Sequence, residues 1–278
     1  MIFALLAAQS LAAESAPAQE PIGLCLFDRA TLTFAGTPVE QATCLLQKVE
    51  PRGEKVAQPL PKVLADILGA EGAPSAQSLE AALNAFAEPF RTYAALHAHD
   101  PVSQTEAGLP LRYFVIHDTS TPFIGHEPFP HDLDGDALVN SFAPYITDET
   151  VAHIFLNRQG QIWQGHEFAE AWRATKLESR VIGVPARGRF VHIETIQPRR
   201  YADGSDWLGD TRGPQPGFSA AQYRMLAALY VLTSARAGVW LIPGFHATVD
   251  GGIPEAHDDP QNFELKQFAR ELERLISR

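Results

Sequence analysis

Basic side chains are scarce in this 278-residue chain. It holds 22 lysines and arginines against 33 aspartates and glutamates, so its formal net charge is −11. Binding to nucleic acid requires clustered basic residues that neutralise phosphates, and the one adjacent basic pair, Arg199-Arg200, is too small for that role. The composition therefore argues against a nucleic-acid partner.

Long apolar runs are also lacking. No stretch reaches the roughly 18 uninterrupted apolar residues that a membrane-spanning helix needs, so stable membrane insertion is not expected. The short apolar run at the start of the chain, followed by small residues, is typical of a secretory signal, and residues 1–13 are predicted to be such a segment. A buried N-terminal helix or strand is the alternative. With a signal, we expect an exported, periplasmic protein.

Cysteine usage is sparse and agrees with export. The two cysteines, Cys25 and Cys44, both follow shortly after the predicted signal. In an oxidising compartment such a pair is expected to be bridged, and two free buried thiols are the alternative.

The remaining composition is that of a globular protein. Apolar residues make up 45% and charged residues 20% of the chain, which suffices for a buried core. We predict a small, mainly helical N-terminal unit of unknown role over residues 22–105. It begins with a short strand-like segment over residues 23–27. It also contains two helical patterns between residues 61 and 90, interrupted near 69–74, with Ser78 as a helix N-cap. A second domain follows over residues 106–278.

The second domain alternates strand and helix patterns. Short apolar, β-branched runs predict strands at 113–116 and 189–196, and a hairpin is predicted around the turn at 157–160. A capping box at Ser219 and Gln222 predicts a helix to about residue 237, and a final amphipathic helix begins near 262. This order predicts an α/β fold with a mixed central β-sheet flanked by helices.

Two histidines and a nearby carboxylate are the first candidates for chemistry. His117 ends the predicted strand at 113–116, and His246 is followed by a Gly-Gly turn and by His257-Asp258-Asp259-Pro260. Two imidazoles and one carboxylate around zinc leave one position open for water, which is typical of a hydrolytic site. For a single histidine in such a strand, a hydrogen-bonded core residue is the alternative.

An acidic residue also interrupts an apolar strand. Glu194 ends the sequence Phe190-Val191-His192-Ile193-Glu194. A carboxylate there is costly unless it is paired or catalytic, and partial burial raises its pKa towards the range of a general base. An exposed glutamate on an edge strand is the alternative.

These motifs, taken in order, resemble a known enzyme family. The set consists of Tyr113-Phe114-Val115-Ile116-His117, the hairpin at 151–162, Ala171-Trp172, Ile193-Glu194, Gly244-Phe245-His246 and the segment 259–263 that begins Asp259-Pro260. It resembles the zinc-dependent N-acetylmuramoyl-L-alanine amidases, relatives of the peptidoglycan-recognition proteins and of phage lysozyme-type amidases. The resemblance covers roughly residues 109–278.

The resemblance implies a role for each motif residue. It implies His117, His246 and Asp259 as zinc ligands and Glu194 as the acid/base residue. His257 stands where the family often has a lysine, and is expected to donate a hydrogen bond to the oxyanion. The spacing from His246 to Asp259 is longer than in the family, which leaves His257 or Asp258 as a rival third ligand.

Three further positions carry expectations. His192 replaces a small residue of the family motif and Arg173 replaces a histidine, and both are expected to alter substrate contacts rather than the metal. His153 is expected to be a structural, hydrogen-bonding histidine rather than a fourth ligand. Tryptophans are candidates either for a sugar-binding cleft or for core packing, namely Trp163, Trp172 and Trp207.

The activity that the resemblance implies is hydrolysis of the amide between N-acetylmuramic acid and L-alanine, so the partner is peptidoglycan or a muropeptide. Three alternatives stay open. One is an amidase restricted to soluble anhydro-muropeptides in cell-wall recycling, and another is a peptidoglycan-binding module without activity. The third is a zinc peptidase that cuts the stem peptide.

Overall fold

The computed structural model describes residues 20–147 and 150–276. The predicted signal at residues 1–13 lies outside this part of the chain. The helices are α1 (Pro38–Leu45), α2 (Lys62–Gly69), α3 (Ala76–Ala85), α4 (Phe90–Leu96), α5 (Ala220–Ala237), α6 (His246–Val249) and α7 (Leu265–Ile276). The strands are β1 (Phe27–Asp28), β2 (Thr33–Phe34), β3 (Lys48–Val49), β4 (Lys55–Val56), β5 (Tyr113–Asp118), β6 (Ile154–Leu156), β7 (Ile162–Gln164), β8 (Phe190–Thr195), β9 (Arg200–Tyr201), β10 (Thr211–Arg212) and β11 (Ile242–Phe245).

A five-stranded sheet forms the centre of the molecule. Its strand order is β11-β5-β8-β6-β7, with β7 antiparallel to β6 and the other neighbours parallel. Every residue of β5 and β8 is buried, as expected for parallel strands covered on both faces. The predicted mixed sheet flanked by helices is therefore confirmed.

Helices cover one face of this sheet. The ring of Tyr230 on α5 meets Phe114 of β5 at 5.3 Å between ring centroids, and α7 and α3 pack against α5. The predicted capping box is present, since Ser219 and Gln222 each accept the other's backbone N–H at the start of α5. This helix ends at Gly238, whose left-handed conformation (φ +66°) suits glycine.

The N-terminal residues cover the opposite face. Phe34 lies 5.2 Å from Tyr113 of β5 between ring centroids, and Phe27 lies 6.1 Å from Phe190 of β8. The Tyr113 hydroxyl accepts a hydrogen bond from the Phe34 backbone N–H at 2.9 Å. Buried apolar residues from before and after residue 106 form one continuous core.

Three local details differ from the predictions. The N-cap of α3 is Ser75, and Ser78 lies within the first turn. A strand-like start was expected from residue 23, yet β1 holds only Phe27–Asp28 because turns precede it. Strand β11 was not predicted, because Pro243 and Gly244 are poor strand residues, and its position at the sheet edge tolerates them.

The predicted bridge between Cys25 and Cys44 is formed. It joins the turn before β1 to helix α1. Within residues 20–147 and 150–276, none of the helices combines the length and the apolar character needed to cross a bilayer.

Candidate metal centre

The candidate site lies at the carboxyl ends of three adjacent parallel strands. His117 of β5 is paired in register with Glu194 of β8, and β11 leads directly into His246. Because parallel strands end at the same edge of a sheet, these three side chains meet there although the chain separates them widely.

Asp259 reaches the same point from a loop. Its backbone carbonyl accepts the N–H of Ala247 at 2.8 Å, and its Oδ2 accepts the N–H of Asp118 at 3.1 Å. Both bonds tie the loop to the elements that carry the histidines. The carboxylate is therefore held by backbone contacts rather than presented on a free loop.

Three buried donor atoms converge at this edge. His117 Nδ1 lies 2.9 Å from His246 Nδ1, which lies 3.0 Å from Asp259 Oδ1, and His117 Nδ1 lies 3.9 Å from Asp259 Oδ2. Metal–ligand bonds of about 2.0–2.2 Å in a tetrahedral site separate the donors by roughly 3.3 Å. The three residues therefore form a group that fits a metal ion.

Glu194 is the fourth member of the cluster. Its Oε1 lies 3.7 Å from His117 Nδ1, while its buried Oε2 finds no hydrogen-bond partner among the described residues. Burial, followed by the negative charge of Asp259, raises the pKa of Glu194 to about 8. One oxygen of this carboxylate is thus without a hydrogen bond among the described residues, and its pKa is raised towards neutral pH.

The two rivals for the third ligand behave differently. The Nδ1 of His257 lies 3.2 Å from His246 Nδ1, but its side chain is half-exposed at the rim. The Oδ2 of Asp258 instead accepts a hydrogen bond from Gln261 Nε2 at 2.7 Å and lies 3.5 Å from Arg199. Asp258 is therefore turned away from the histidines.

A second carboxylate supports His246 from behind. The His246 Nε2 lies 3.0 Å from Asp250 Oδ2, and Asp250 also accepts the backbone N–H groups of Lys176 and Leu177. Burial disfavours a charged imidazole, but Asp259 and Asp250 together raise the pKa of His246 well above its ordinary value. The Nδ1 of this ring is thereby left to face the cluster.

A buried ion pair stabilises the loop below the site. Arg199 contacts Asp118 at 2.8 Å, and Asp118 Oδ2 also accepts the N–H of Gln261 at 3.0 Å. Burial raises the pKa of Asp118 to about 6, although Arg199 opposes this shift. Since the N–H of Asp118 holds Asp259, the ion pair fixes the position of a candidate ligand.

His192 is not where the sequence predicted. It was expected to alter substrate contacts, but its side chain is fully buried and its Nδ1 lies 3.1 Å from His117 Nε2. It therefore contacts a candidate metal ligand from beneath. His153 is also buried: its Nδ1 accepts the backbone N–H of His192 at 3.1 Å, and its Nε2 lies 3.2 Å from the Glu170 carbonyl oxygen.

A cleft of about 510 Å³ opens above the cluster. Glu194 and Asp259 lie at its floor, and its wall carries Arg173, Lys176 and Arg180, a basic group in an acidic protein. The three tryptophans that were candidates for a sugar cleft do not line it. Instead, Trp172 stacks on His166 at 4.1 Å, Trp163 packs near Phe155 and Trp207 is exposed elsewhere.

Sequence reasoning missed three supporting residues. Asp250 follows His246 by four positions, and that spacing on a helical turn was a usable signal. Arg199, and Glu178 whose Oε2 lies 3.0 Å from His192 Nε2, offered no local signal, because only the folded chain brings them to the site.

Comparisons with protein-family models, with curated proteins and with solved structures give no match, so the resemblance to amidases stays a prediction.

Proposed function

We propose that this chain is an exported zinc-dependent N-acetylmuramoyl-L-alanine amidase that acts on peptidoglycan or its fragments. One observation carries the proposal. The donor atoms of His117, His246 and Asp259 converge, and the last two residues line an open cleft. The carboxylate of Glu194 lines the same cleft and lies 3.7 Å from His117 Nδ1.

Zinc is the metal that this donor set suits. Two imidazoles and one carboxylate are typical ligands of hydrolytic zinc sites, which leave a further position for the reaction. Zinc bound there would supply a Lewis acid for the substrate carbonyl and would acidify water.

Glu194 is the proton carrier in this proposal. Its carboxylate is held by strand β8, and its Oε2 has no other partner among the described residues. It is free to accept a proton from water during attack on the amide and to pass that proton to the leaving amine. A positive metal charge beside it would lower its pKa from about 8 and favour the ionised base.

The residues around the cleft suit an anionic peptide substrate. His257 at the rim can donate a hydrogen bond to the oxyanion, because an imidazole keeps one N–H even when burial lowers its pKa and favours the neutral ring. Arg173 and Lys176 on the wall of the cleft would attract the carboxylates of a stem peptide, whereas Arg180 beside them is paired with Glu255 at 2.7 Å.

The disulfide supports the proposed location. Such bridges persist in oxidising compartments and are rare in the cytosol. This favours export to the periplasm and disfavours an amidase confined to cytosolic recycling of muropeptides.

Product analysis tests the proposed function. Purified protein would be incubated with intact sacculi and with soluble muropeptides, with and without a chelator, and the products identified by mass. Release of stem peptides that begin at L-alanine, abolished by the chelator, is expected. Binding without release would support a recognition module, internal peptide fragments would support a peptidase, and either result would overturn the amidase.

A variant of the proposed base sharpens this test. Glu194→Gln is expected to keep zinc and to lose turnover by about 10²- to 10⁴-fold, which is the usual contribution of a general base. Glu80→Gln, on the exposed surface of α3, is the matched control and should keep full activity. Full activity in Glu194→Gln would remove Glu194 from the mechanism.

A further inference from the structure

His192 lies beneath the candidate metal centre rather than beside the cleft. It precedes Glu194 by two positions on β8, so both side chains leave the same face of the sheet. Its ring lies between two groups. Its Nδ1 is hydrogen-bonded to His117 Nε2 at 3.1 Å. Its Nε2 lies 3.0 Å from Glu178 Oε2, a close ion-pair contact whose angle is not that of a hydrogen bond. Both His192 and Glu178 are fully buried.

The position of His117 sets the direction of these contacts. Its Nδ1 faces His246 and Asp259, so a metal ion would take the lone pair of that nitrogen and leave the proton on Nε2. This Nε2–H must then donate to the Nδ1 of His192. His192 consequently carries its own proton on Nε2, which faces the carboxylate of Glu178.

Glu178 and the ring of His192 are both held in place by their neighbours. Glu178 lies in the helical turn Leu177–Val181, and its Oε2 accepts hydrogen bonds from Thr175 Oγ1 at 2.9 Å and from the Ala174 N–H at 3.3 Å. The ring of His153 stacks on His192 at 5.6 Å between centroids. The imidazole of His192 therefore has little freedom to turn away from His117.

Each candidate histidine ligand thus leads to a buried carboxylate. His246 contacts Asp250 directly, whereas His117 reaches Glu178 through one intervening imidazole. Carboxylates behind a ligating histidine fix its tautomer and orientation and raise its basicity, and their loss typically lowers metal affinity by about 10- to 100-fold.

We propose that His192 and Glu178 are positioning residues of the metal centre, which hold His117 in the orientation and tautomer that bind the ion. The inference rests on the proposed function only in that it assumes zinc as the ion. It assigns no direct contact with substrate to either residue.

Metal binding, measured apart from catalysis, tests the proposal. Zinc affinity would be determined by competition with a chromophoric chelator, and the absorption spectrum of the Co²⁺-substituted protein would report ligand geometry. Glu178→Gln and His192→Phe are each expected to weaken zinc binding by about 10- to 100-fold and to shift the Co²⁺ bands. His166→Gln is the matched control, since His166 bonds the Thr150 carbonyl and does not touch His117.

The unsubstituted protein gives a second measurement, which does not depend on whether the variants fold. In ¹⁵N spectra of the zinc-loaded protein, the ring of His192 should be protonated on Nε2 and unprotonated on Nδ1. A His192 ring protonated on Nδ1 would overturn the proposed series of contacts from His117 through His192 to Glu178.

The outcomes separate this inference from the proposed function. Zinc binding without release of stem peptides would overturn the amidase and leave the positioning role intact. Zinc affinities within about twofold of wild type and unchanged Co²⁺ bands in both variants would overturn the positioning role alone. Wild-type protein that binds neither metal would overturn both.

Discussion

His117 and Glu194 are paired in register across β5 and β8, and their Nδ1 and Oε1 atoms lie 3.7 Å apart. Their separation is set by the hydrogen-bonding ladder of the central sheet rather than by a loop. A candidate ligand and a candidate proton carrier are thus held on the most rigid part of the fold, as a site that must keep sub-ångström geometry requires.

The choice of third ligand can be decided by two neighbouring substitutions. Asp259→Asn should weaken zinc binding by more than about 100-fold, because it removes a donor that faces both histidines. Asp258→Asn is the matched control, since its carboxylate faces Gln261 instead, and it should change affinity by less than about 10-fold. Isothermal titration with zinc measures both. The opposite order of effects would make Asp258 the ligand.

Glu194 should make the metal-free protein less stable as the pH rises. Its pKa is about 8 in the native state and near 4.5 in the unfolded chain, so the native state binds the extra proton between these values. Stability is therefore lost as the pH rises from about 4.5 to 8, and Glu194→Gln escapes this loss.

Thermal unfolding in the presence of a chelator checks this. The Tm of Glu194→Gln relative to wild type should rise by at least about 2 °C between pH 5 and pH 8. If the difference in Tm between the two proteins stays constant over this range, the pKa of Glu194 is not raised by burial.

Removing Arg199 should destabilise the protein strongly. Arg199→Met leaves the buried carboxylate of Asp118 without its cation, and breaking a buried pair on one side costs about 3–5 kcal/mol of unfolding free energy. Arg91→Met breaks an exposed pair with Glu88 and should cost no more than about 1 kcal/mol. Urea denaturation compares the two variants. Equal effects would mean that Asp118 is not ionised in the native state.

The disulfide should contribute to stability through the chain that it closes. Cys25 and Cys44 are 19 positions apart, and a loop of this size gives about 3 kcal/mol by chain entropy. Cys25→Ser with Cys44→Ser should lose that amount in denaturant unfolding. Reduced wild type should match the double variant, and a reduced protein as stable as the oxidised one would contradict the prediction.

The disulfide is also linked to the candidate metal centre. Helix α1 ends at Leu45, whose carbonyl accepts a hydrogen bond from Thr248 in α6, the helix that begins with His246. Loss of the disulfide should therefore weaken zinc binding as well as stability. Zinc affinity measured with and without reductant gives the size of this coupling.

The strands that carry the site were predictable because their patterns are local. The apolar runs at β5 and β8 predicted both strands to within two residues, and the capping box at Ser219 predicted the start of α5. Those signals depend on side chains that lie within a few positions of each other. They could be recognised without knowing the fold.

The residues that contact the candidate ligands from behind were not predictable, because their partners are distant in the sequence. Glu178 is 14 residues from His192, and Arg199 is 81 residues from Asp118, so no periodic pattern links either pair. His192 looked like a cleft residue because its motif neighbours Glu194. Only the alternation of side chains in the pleated strand, together with the turn that brings Glu178 across, places it under His117.

The hairpin of β1 and β2 has a practical consequence for work on the isolated site. Phe27 and Phe34 lie over Phe190 and Tyr113, on the face of the sheet opposite to α5. Without residues before 106, the rings of Tyr113 and Phe190 would be exposed to water as part of an apolar surface. Such surfaces promote aggregation. Residues 20–105 therefore cover an apolar face of the sheet that carries the candidate site, and the two parts of the chain should be expressed together.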